Sequence, residues 1–510
     1  MTMATMLPHC LAALQMPVSV GPPLEDYLRI LPELVLAVFG MIIMVLDPLL
    51  DEDRNQKPLG AIALIGALAA LLSSFVMANH AGLAFAGMVR VDNFSVFFHV
   101  VVTAIAAVVV LSSYEYMAVQ RIRAGEYYAL ILFCTVGMCL MSSAVELVLI
   151  FIALEISSIS TYVLAGFRRR DAASSESSLK YFLLGSFATA FFLYGVALMF
   201  GATGSTNIAA IRAVLSHENH DLLPYVATAF MFVGLGFKVA AAPFHIWTPD
   251  VYEGAPAPVV GLMSTGPKAA AFAVLLRVLF ETNAPGWFWL IWVSAALSMT
   301  LGNLGALVQS NVKRMLAYSS IAHAGYLLVA FAANRTLAVS PAMFYAASYA
   351  AMNVGAFAVV SHFANAEEKY VTIEDYAGLG SKSPVLAACF TFFLMSLIGI
   401  PITGGFFAKF YVLNSALKSG LVGLAIILVL NSAIGAYYYL RIIVMMYMRE
   451  PHGDVPVRVA PPAAILAMTV CVLVTLYLGV FPGRVIDYTA QSSHQLVETA
   501  APPAALLPQQ

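Results

Sequence analysis

Charged side chains are scarce in this sequence. Asp, Glu, Lys and Arg make up 10% of its 510 residues, whereas 61% are hydrophobic. A soluble domain carries roughly 25% charged residues, and a mean hydropathy of +0.88 points the same way. These values exclude a soluble protein and indicate an integral membrane protein. The net charge of −2 gives no reason to expect nucleic acid as a partner.

Several motifs are also absent. No Lys or Arg precedes Arg29, so the positively charged start of a secretory signal is missing. We therefore expect residues 1–28 to be an N-terminal extension. The five cysteines contain no C-x-x-C pair and are interpreted as small hydrophobic residues. No Gly-rich nucleotide loop follows a strand-like segment.

The sequence is dominated by long apolar segments. A membrane-spanning helix needs about 20 apolar residues, and each such segment should be helical because lipid offers its backbone no hydrogen bonds. Fourteen candidate spans follow: 29–49, 59–78, 94–113, 127–143, 146–166, 179–202, 223–250, 257–281, 286–308, 313–333, 340–363, 385–416, 420–447 and 461–481. The seventh and twelfth are too long for one crossing and contain helix breakers. The predicted fold is an all-α polytopic membrane protein.

The basic residues are unevenly divided between the two sides of these spans. Fifteen of the 25 Lys and Arg residues fall on the side of the Arg168-Arg169-Arg170 run, and seven fall on the other. Short cytoplasmic loops carry the excess of positive charge. We therefore predict that both termini lie outside.

The remaining three basic residues lie inside candidate spans: Lys238, Lys268 and Lys409. Glu155 in FIALEISSISTY and His323 in AYSSIAHAGY are also mid-span. Charged groups within a membrane are costly, and they usually face the interior of a helix bundle or water. Five such groups in one chain point to a site rather than to coincidence.

Each of these residues also has a structural explanation. A buried lysine could extend its side chain to an interface, and Glu155 with Lys238 could simply join two helices. His245 and His323 could be satisfied core histidines. We favour a proton path. Burial away from water lowers the proton affinity of a lysine and a nearby carboxylate raises it, so movement of the carboxylate can change that affinity.

Helix breakers accompany these charges. Pro243 lies shortly after Lys238 in GLGFKVAAAPFHIW, and TGGFFAKF around Lys409 is similar. Aligning Phe244 with Phe406 superimposes the two breaks, and nearly the same shift brings the start of the fourth span onto the start of the ninth. Five spans would thus recur, and because five is odd the second copy should be inverted. Inverted repeats with broken helices are typical of transporters, which bind ions near the midplane.

These breaks define the expected domain layout. The segments are an extension (1–28), helices 1–3 (29–126), a first five-helix repeat (127–281), a second, inverted repeat (286–447), and helix 14 with a C-terminal tail (448–510).

Three stretches carry a family resemblance: GFKVAAAPFHIWTPDVYEGAP, STGPKAAAFAVLLR and KRMLAYSSIAHAGY. They resemble the antiporter-like subunits of respiratory complex I over residues 29 to 481. Within that family the likeness is to subunit N, also called subunit 2. Lys409 in place of a glutamate argues against subunit M, and the chain lacks the long lateral helix of subunit L.

The resemblance implies a role for each buried charge. Glu155 and Lys238 would form a paired gate, Lys268 and His323 a central relay, and Lys409 the terminal group. Three residues are expected to be secondary members of the site: His245, Ser319 and Thr403. Pro267 departs from the pattern expected before Lys268 and should distort the eighth span.

The resemblance also implies a proton-translocating subunit of a proton-pumping NADH:quinone oxidoreductase in a bacterial inner membrane. This chain would bind no cofactor or metal; NADH, FMN, iron–sulfur clusters and quinone would belong to partner subunits. Its neighbours would resemble subunits M and K, surrounded by lipid. Two rival interpretations are a cation/proton antiporter subunit outside the respiratory chain and a purely structural membrane subunit.

Overall fold

The computed structural model describes residues 21–50, 57–120, 124–216, 222–282, 284–364, 368–451 and 459–498. Its strands are β1 (Gly82–Ala84) and β2 (Val89–Val91). Its α-helices are α1 (Leu24–Arg29), α2 (Leu31–Leu46), α3 (Lys57–Met77), α4 (Asn93–Gln120), α5 (Ala124–Ser143), α6 (Leu147–Ala165), α7 (Ala172–Thr203), α8 (Ile208–Leu215), α9 (Leu222–Val239), α10 (Trp247–Gly254), α11 (Ala257–Met263), α12 (Gly266–Thr282), α13 (Trp287–Leu307), α14 (Val312–Ala332), α15 (Arg335–Phe363), α16 (Leu379–Lys382), α17 (Pro384–Ile398), α18 (Gly404–Lys418), α19 (Val422–Met448), α20 (Pro462–Val480) and α21 (Gly483–Glu498).

The predicted all-α membrane fold is confirmed. Thirteen helical segments within the described residues are long and apolar enough to cross a membrane. The twelfth candidate span is the shorter pair α17 and α18, of 15 residues each. A two-stranded antiparallel hairpin, β1–β2, is the one sheet among the described residues, and it lies in the loop between α3 and α4.

Side-chain caps mark where several helices begin. The carboxylate of Glu146 accepts a hydrogen bond from Leu149 N at the start of α6, and Asp171 does the same for Ala173 N at the start of α7. Such caps satisfy backbone amides that the first helical turn leaves without partners. The chain can therefore turn sharply between adjacent spans.

The predicted breaks in the seventh and twelfth spans are confirmed. The seventh span is α9 and α10, separated by residues 240–246, and the twelfth is α17 and α18, separated by residues 399–403. The eighth span is also broken, since α11 ends at Met263 and α12 begins at Gly266. Pro267 lies in the first turn of α12, where a missing N–H is tolerated. The expected distortion is thus an interruption just before Lys268.

One backbone arrangement occurs twice along the chain. Glu146 pairs with Asn207 in an isolated antiparallel bridge, and Asn311 pairs with Thr372 in the same way. The sequence distance from Glu146 to Asn311 equals that from Asn207 to Thr372. Glu146 and Asn311 also cap the helices that follow them, α6 and α14. In the first case the bridge joins the start of the fifth span to the segment that follows the sixth span. In the second case it joins the start of the tenth span to the segment that follows the eleventh span.

The two broken spans share a second feature. Ala240 has a φ of 58° and Ile402 a φ of 77°, values that non-glycine residues seldom adopt. The sequence distance between these two residues equals that between Phe244 and Phe406, which is the offset that the sequence predicts for the two breaks.

The segments outside the spans differ from expectation in one respect. The region after the fourteenth span was expected to be a tail, but α21 occupies Gly483–Glu498 and packs against α15 and α4. Residues 1–20 and 499–510 lie outside the described residues. So do four of the basic residues used to predict the orientation: Arg54, Arg121, Arg123 and Arg458.

Candidate functional site: a row of buried lysines and a histidine

Lys238 lies at the end of α9, immediately before the break. Its side chain is buried, with 4% exposed, and its Nζ donates to Ser158 Oγ on α6 at 2.9 Å. Glu155, one helical turn from Ser158, has a buried Oε1 without a hydrogen-bond partner. Glu155 and Lys238 do not form an ion pair within 4.0 Å. The lysine is thus in contact with a serine of α6 rather than with the carboxylate of Glu155, and the gate role of this pair stays a prediction.

Lys268 lies in the first turn of α12, next to the break in the eighth span. It is 3% exposed, and its Nζ donates to both the hydroxyl and the carbonyl oxygen of Ser320 on α14. A cavity of about 10 Å³ lies beside it and is also lined by His323, Tyr345 and Tyr349. Its volume is on the order of that needed for one water molecule.

His323 lies on the same helix as Ser320 and is 2% exposed. Its Nδ1 is 2.7 Å from the hydroxyl of Tyr345, and its Nε2 is 3.3 Å from the hydroxyl of Tyr439. Tyr439 also contacts Ser319. Ser319, predicted as a secondary member of the site, thus contacts the same tyrosine as His323.

Lys409 lies on α18, after the break in the twelfth span, and is 9% exposed. Its Nζ donates to the carbonyl oxygens of Leu397 and Ile398 and to Ser432 Oγ, at 2.8 to 3.0 Å. The two carbonyls are at the end of α17, where the helix leaves them without internal partners. The break therefore supplies the acceptors that hold this lysine in place.

The two other expected members of the site lie at the breaks themselves. His245 is half-buried between α9 and α10, and its Nδ1 has no hydrogen-bond partner. Thr403 precedes α18, and its hydroxyl donates to Ile400 O at 2.8 Å. Neither residue contacts the lysines through a hydrogen bond in this structure.

Two further basic residues are fully buried, which corrects the expectation that only three lie inside spans. Arg277 on α12 donates to both carboxylate oxygens of Asp92 and to Glu281. Lys313 on α14 contacts Glu368. In both cases a carboxylate neutralises the charge, so these residues stabilise helix contacts. Because both residues lie near the ends of apolar segments, the sequence analysis assigned them to the membrane interface.

The sequence analysis also missed a buried pair formed by a glutamate and a histidine. Glu33 Oε1 on α2 lies 2.9 Å from His99 Nε2 on α4, and both side chains are buried. The signal in the sequence is an isolated acid and an isolated histidine inside the first and third candidate spans. This pair is separate from the lysine row.

Two larger polar cavities open near the ends of the helices. One, of about 170 Å³, is lined by Lys180 on α7, Asp250 and Glu253 on α10, and Arg314 in the first turn of α14. The other, of about 150 Å³, lies near Lys418 at the start of α15 and the end of α18, beneath α21. Because an odd number of spans separates the starts of α7 and α15, the two cavities lie at opposite ends of the bundle.

Comparisons with known proteins agree with this arrangement. The family described as "NADH:quinone oxidoreductase/Mrp antiporter, TM" matches residues 144–435. NADH-quinone oxidoreductase subunit N 2 of Koribacter versatilis (strain Ellin345) is 66% identical, and the match covers 93% of this chain and 98% of the relative.

Solved structures show the same fold. A chain of respiratory complex I from Thermus thermophilus with bound aureothin has a TM-score of 0.77 and 37% identity, with 89% of this chain and 98% of that chain covered. A chain of the Mrp complex from Dietzia sp. DQ12-45-1b has a TM-score of 0.81 and covers 93% and 98%, but at 20% identity it supports the fold alone. The chain therefore belongs to the NADH:quinone oxidoreductase/Mrp antiporter membrane-subunit family, within which it groups with subunit N.

Proposed function

We propose that this chain is a proton-translocating membrane subunit of an NADH:quinone oxidoreductase. Protons would move through a row formed by Glu155, Lys238, Lys268, His323 and Lys409. The Koribacter versatilis relative is named as a subunit of that enzyme, and the row lies within the segment that the family model matches. Redox chemistry would take place in partner subunits that bind NADH, FMN, iron–sulfur clusters and quinone.

The observation that carries the proposal is a contrast among buried basic residues. Arg277 and Lys313 each contact a carboxylate, whereas Lys238, Lys268 and Lys409 have no described carboxylate within 4.0 Å and donate to hydroxyl or carbonyl groups. A buried ammonium without a counter-ion is costly, and the cost is relieved when the lysine releases its proton. These three lysines are therefore suited to exchange protons, and the paired residues are suited to hold the fold together.

The two larger cavities offer routes for water. The cavity beside Asp250 and Arg314 lies near the second half of the broken seventh span, and the cavity beside Lys418 lies at the end of the broken twelfth span. We propose that they give the row access to opposite aqueous faces. With both termini outside, the first would open to the inside of a bacterial cell and the second to the outside.

The internal repeat supports the same function. We propose the layout given above: 1–28, 29–126, 127–281, 286–447 and 448–510, with the second repeat inverted. The two equivalent bridges support it, as do the two left-handed residues, Ala240 and Ile402. Superimposing the bridges along the sequence also aligns Glu155 with Ser320 and Ser158 with His323, so residues of the proposed row or their hydrogen-bond partners occupy the same two positions of α6 and α14.

Subunits that resemble M and K are proposed as neighbours in the membrane, and nucleic acid is not expected as a partner. Co-purification with flavin-containing subunits would support the respiratory assignment. Isolation of the chain in a flavin-free antiporter complex would support the rival interpretation.

Replacing Lys238 tests the proposed function directly. In the intact complex, Lys238→Ala should assemble but lose most proton pumping, measured as pH change in inverted membrane vesicles during NADH oxidation. Lys238→Arg should fail as well, because the guanidinium does not release its proton.

Arg169 offers a matched control, since its side chain is 78% exposed and its ion pair with Glu126 is at the surface. Arg169→Gln should pump normally. Normal pumping by assembled Lys238→Ala would contradict the proposed function.

A further inference from the structure

Both ring nitrogens of His323 face tyrosine hydroxyls, Tyr345 at Nδ1 and Tyr439 at Nε2. A neutral imidazole has one N–H donor and one acceptor nitrogen, whereas a hydroxyl can do either. One tyrosine must therefore donate to the ring while the other accepts from it. Tyrosine contacts of this kind fix the ring in place yet leave the choice of tautomer open.

The line of contacts continues beyond Tyr439. Its hydroxyl also contacts Ser319 Oγ, so four polar groups follow one another from Tyr345 to Ser319. All four side chains are at most 2% exposed. A buried hydroxyl without a partner destabilises the fold, so the line is most stable when each group is hydrogen-bonded to the next.

This line can be satisfied in two directions. In one, Tyr345 donates to Nδ1, Nε2–H donates to Tyr439, and Tyr439 donates to Ser319. In the other, every donor and acceptor role is reversed. Passing one proton along the line converts the first direction into the second, and no group is charged in either state.

We propose that Tyr345 and Tyr439 are proton-carrying residues of the row, which His323 joins by changing tautomer. The inference rests on the proposed function and adds two residues to it. Neither tyrosine sits beside a charge or a helix breaker in the sequence, and α15 and α19 bring them to the histidine only in the folded chain.

The transfer balances without a co-reactant other than water. A hydronium ion in the cavity beside Lys268 gives a proton to the oxygen of Tyr345 and becomes water, while the proton of Tyr345 passes to Nδ1. The Nε2 proton passes to Tyr439, the Tyr439 proton passes to Ser319, and the Ser319 proton passes to a water molecule, which becomes hydronium. Five O–H or N–H bonds break and five form, and the histidine ends as the other tautomer.

The experiment replaces each tyrosine by phenylalanine in the intact complex, which removes one oxygen and preserves the ring. Tyr439→Phe and Tyr345→Phe should each lower the number of protons pumped per NADH by about half or more. The amount of assembled complex should stay unchanged, and any fall in its thermal transition should match that of the control variant, which also loses one buried hydroxyl.

Tyr127 is the matched control. It lies on α5, is 0% exposed, and its hydroxyl is 2.8 Å from Ser113 Oγ on α4 rather than beside the histidine. Tyr127→Phe should keep the normal ratio of protons to NADH. Equal ratios in Tyr127→Phe, Tyr439→Phe and Tyr345→Phe would overturn the inference.

The Lys238→Ala variant separates this inference from the function on which it rests. If Lys238→Ala stops pumping while both tyrosine variants pump normally, the tyrosines are structural and the row stands without them. If Lys238→Ala also pumps normally, the proposed function itself fails.

Discussion

At the scale of single residues, the partner of a buried charge separates two kinds of site. Arg277 is fully buried among carboxylates, and removing one member of such a group typically costs about 3–5 kcal/mol. Lys238 has a serine hydroxyl as its hydrogen-bond partner, which stabilises an ammonium less than a carboxylate does. We therefore expect transport residues among the buried charges that lack a counter-ion, and not among buried charges in general.

Glu155 allows a prediction at this scale. Glu155→Gln should leave assembly unchanged, because Glu155 Oε1 makes no hydrogen bond that the fold depends on. It should slow pumping on the order of tenfold, because a negative charge near Lys238 favours the protonated lysine. Initial rates of proton uptake by inverted vesicles would measure the effect.

Glu126 is a suitable control, since it lies at the surface in an exposed ion pair with Arg169. Glu126→Gln should pump at the normal rate. If Glu155→Gln matches it, Glu155 has no role in loading the lysine.

At the scale of elements, breaks in helices supply what the lysines need. The free carbonyls at the end of α17 accept from Lys409, and the interrupted eighth span places Lys268 in the first turn of α12. Pro341 inside α15 also leaves a backbone carbonyl without its helical partner, because proline has no N–H to donate to Leu337 O. The hydroxyl of Ser415 donates to that carbonyl instead. Irregular backbone in a membrane is stable only where protein or water satisfies it.

Close helix crossings allow a second prediction, made at equivalent positions of the two proposed repeats. A Cβ on Gly137 would lie 2.6 Å from Ser157 N, and one on Gly302, the equivalent position when the two bridges are superimposed, would lie 2.6 Å from Ala322 N. Backbone atoms cannot move aside as a side chain can, so Gly137→Ala and Gly302→Ala should each destabilise the fold by roughly 1–3 kcal/mol. Thermal unfolding in detergent would show lower transition temperatures.

Gly483 serves as the comparison, because nothing lies within 4 Å of a Cβ built there. Gly483→Ala should unfold at the normal temperature. Unchanged transitions for Gly137→Ala and Gly302→Ala would mean that the helices do not approach so closely.

At the scale of the whole molecule, orientation decides which cavity faces which compartment. The excess of Lys and Arg on the Arg168-Arg169-Arg170 side predicts that this side is inside. Asn79, at the end of the second span, would then be outside. Both Asn79 and Arg169 are exposed.

Labelling of single cysteines tests this orientation. In a chain whose five cysteines have been replaced, Asn79→Cys should react with a membrane-impermeant maleimide in intact spheroplasts, and Arg169→Cys should react only after lysis. The reverse pattern would mean that both termini lie inside and that the two cavities exchange their proposed roles.

The sequence by itself determined the class of protein, the helices and most of the charged row. A long apolar run in lipid is stable only as a helix. Lys238, Lys268 and Lys409 stand out in the sequence because a charged side chain within such a helix is energetically costly and is therefore rare. Pro243 and the glycines near Lys409 likewise indicated the breaks in the seventh and twelfth spans. Their spacing also predicted the offset that Ala240 and Ile402 share in the folded chain.

Only the tertiary structure decided which partners these charges have. Ser158 contacts Lys238, Glu368 contacts Lys313, and Tyr439 contacts His323 across 80, 55 and 116 residues of sequence. A serine or tyrosine in an apolar helix carries no signal of its own, because its hydroxyl can bond to the helix backbone. Whether it instead contacts a lysine or a histidine depends on how neighbouring helices pack, and that is set by contacts distributed over the whole bundle.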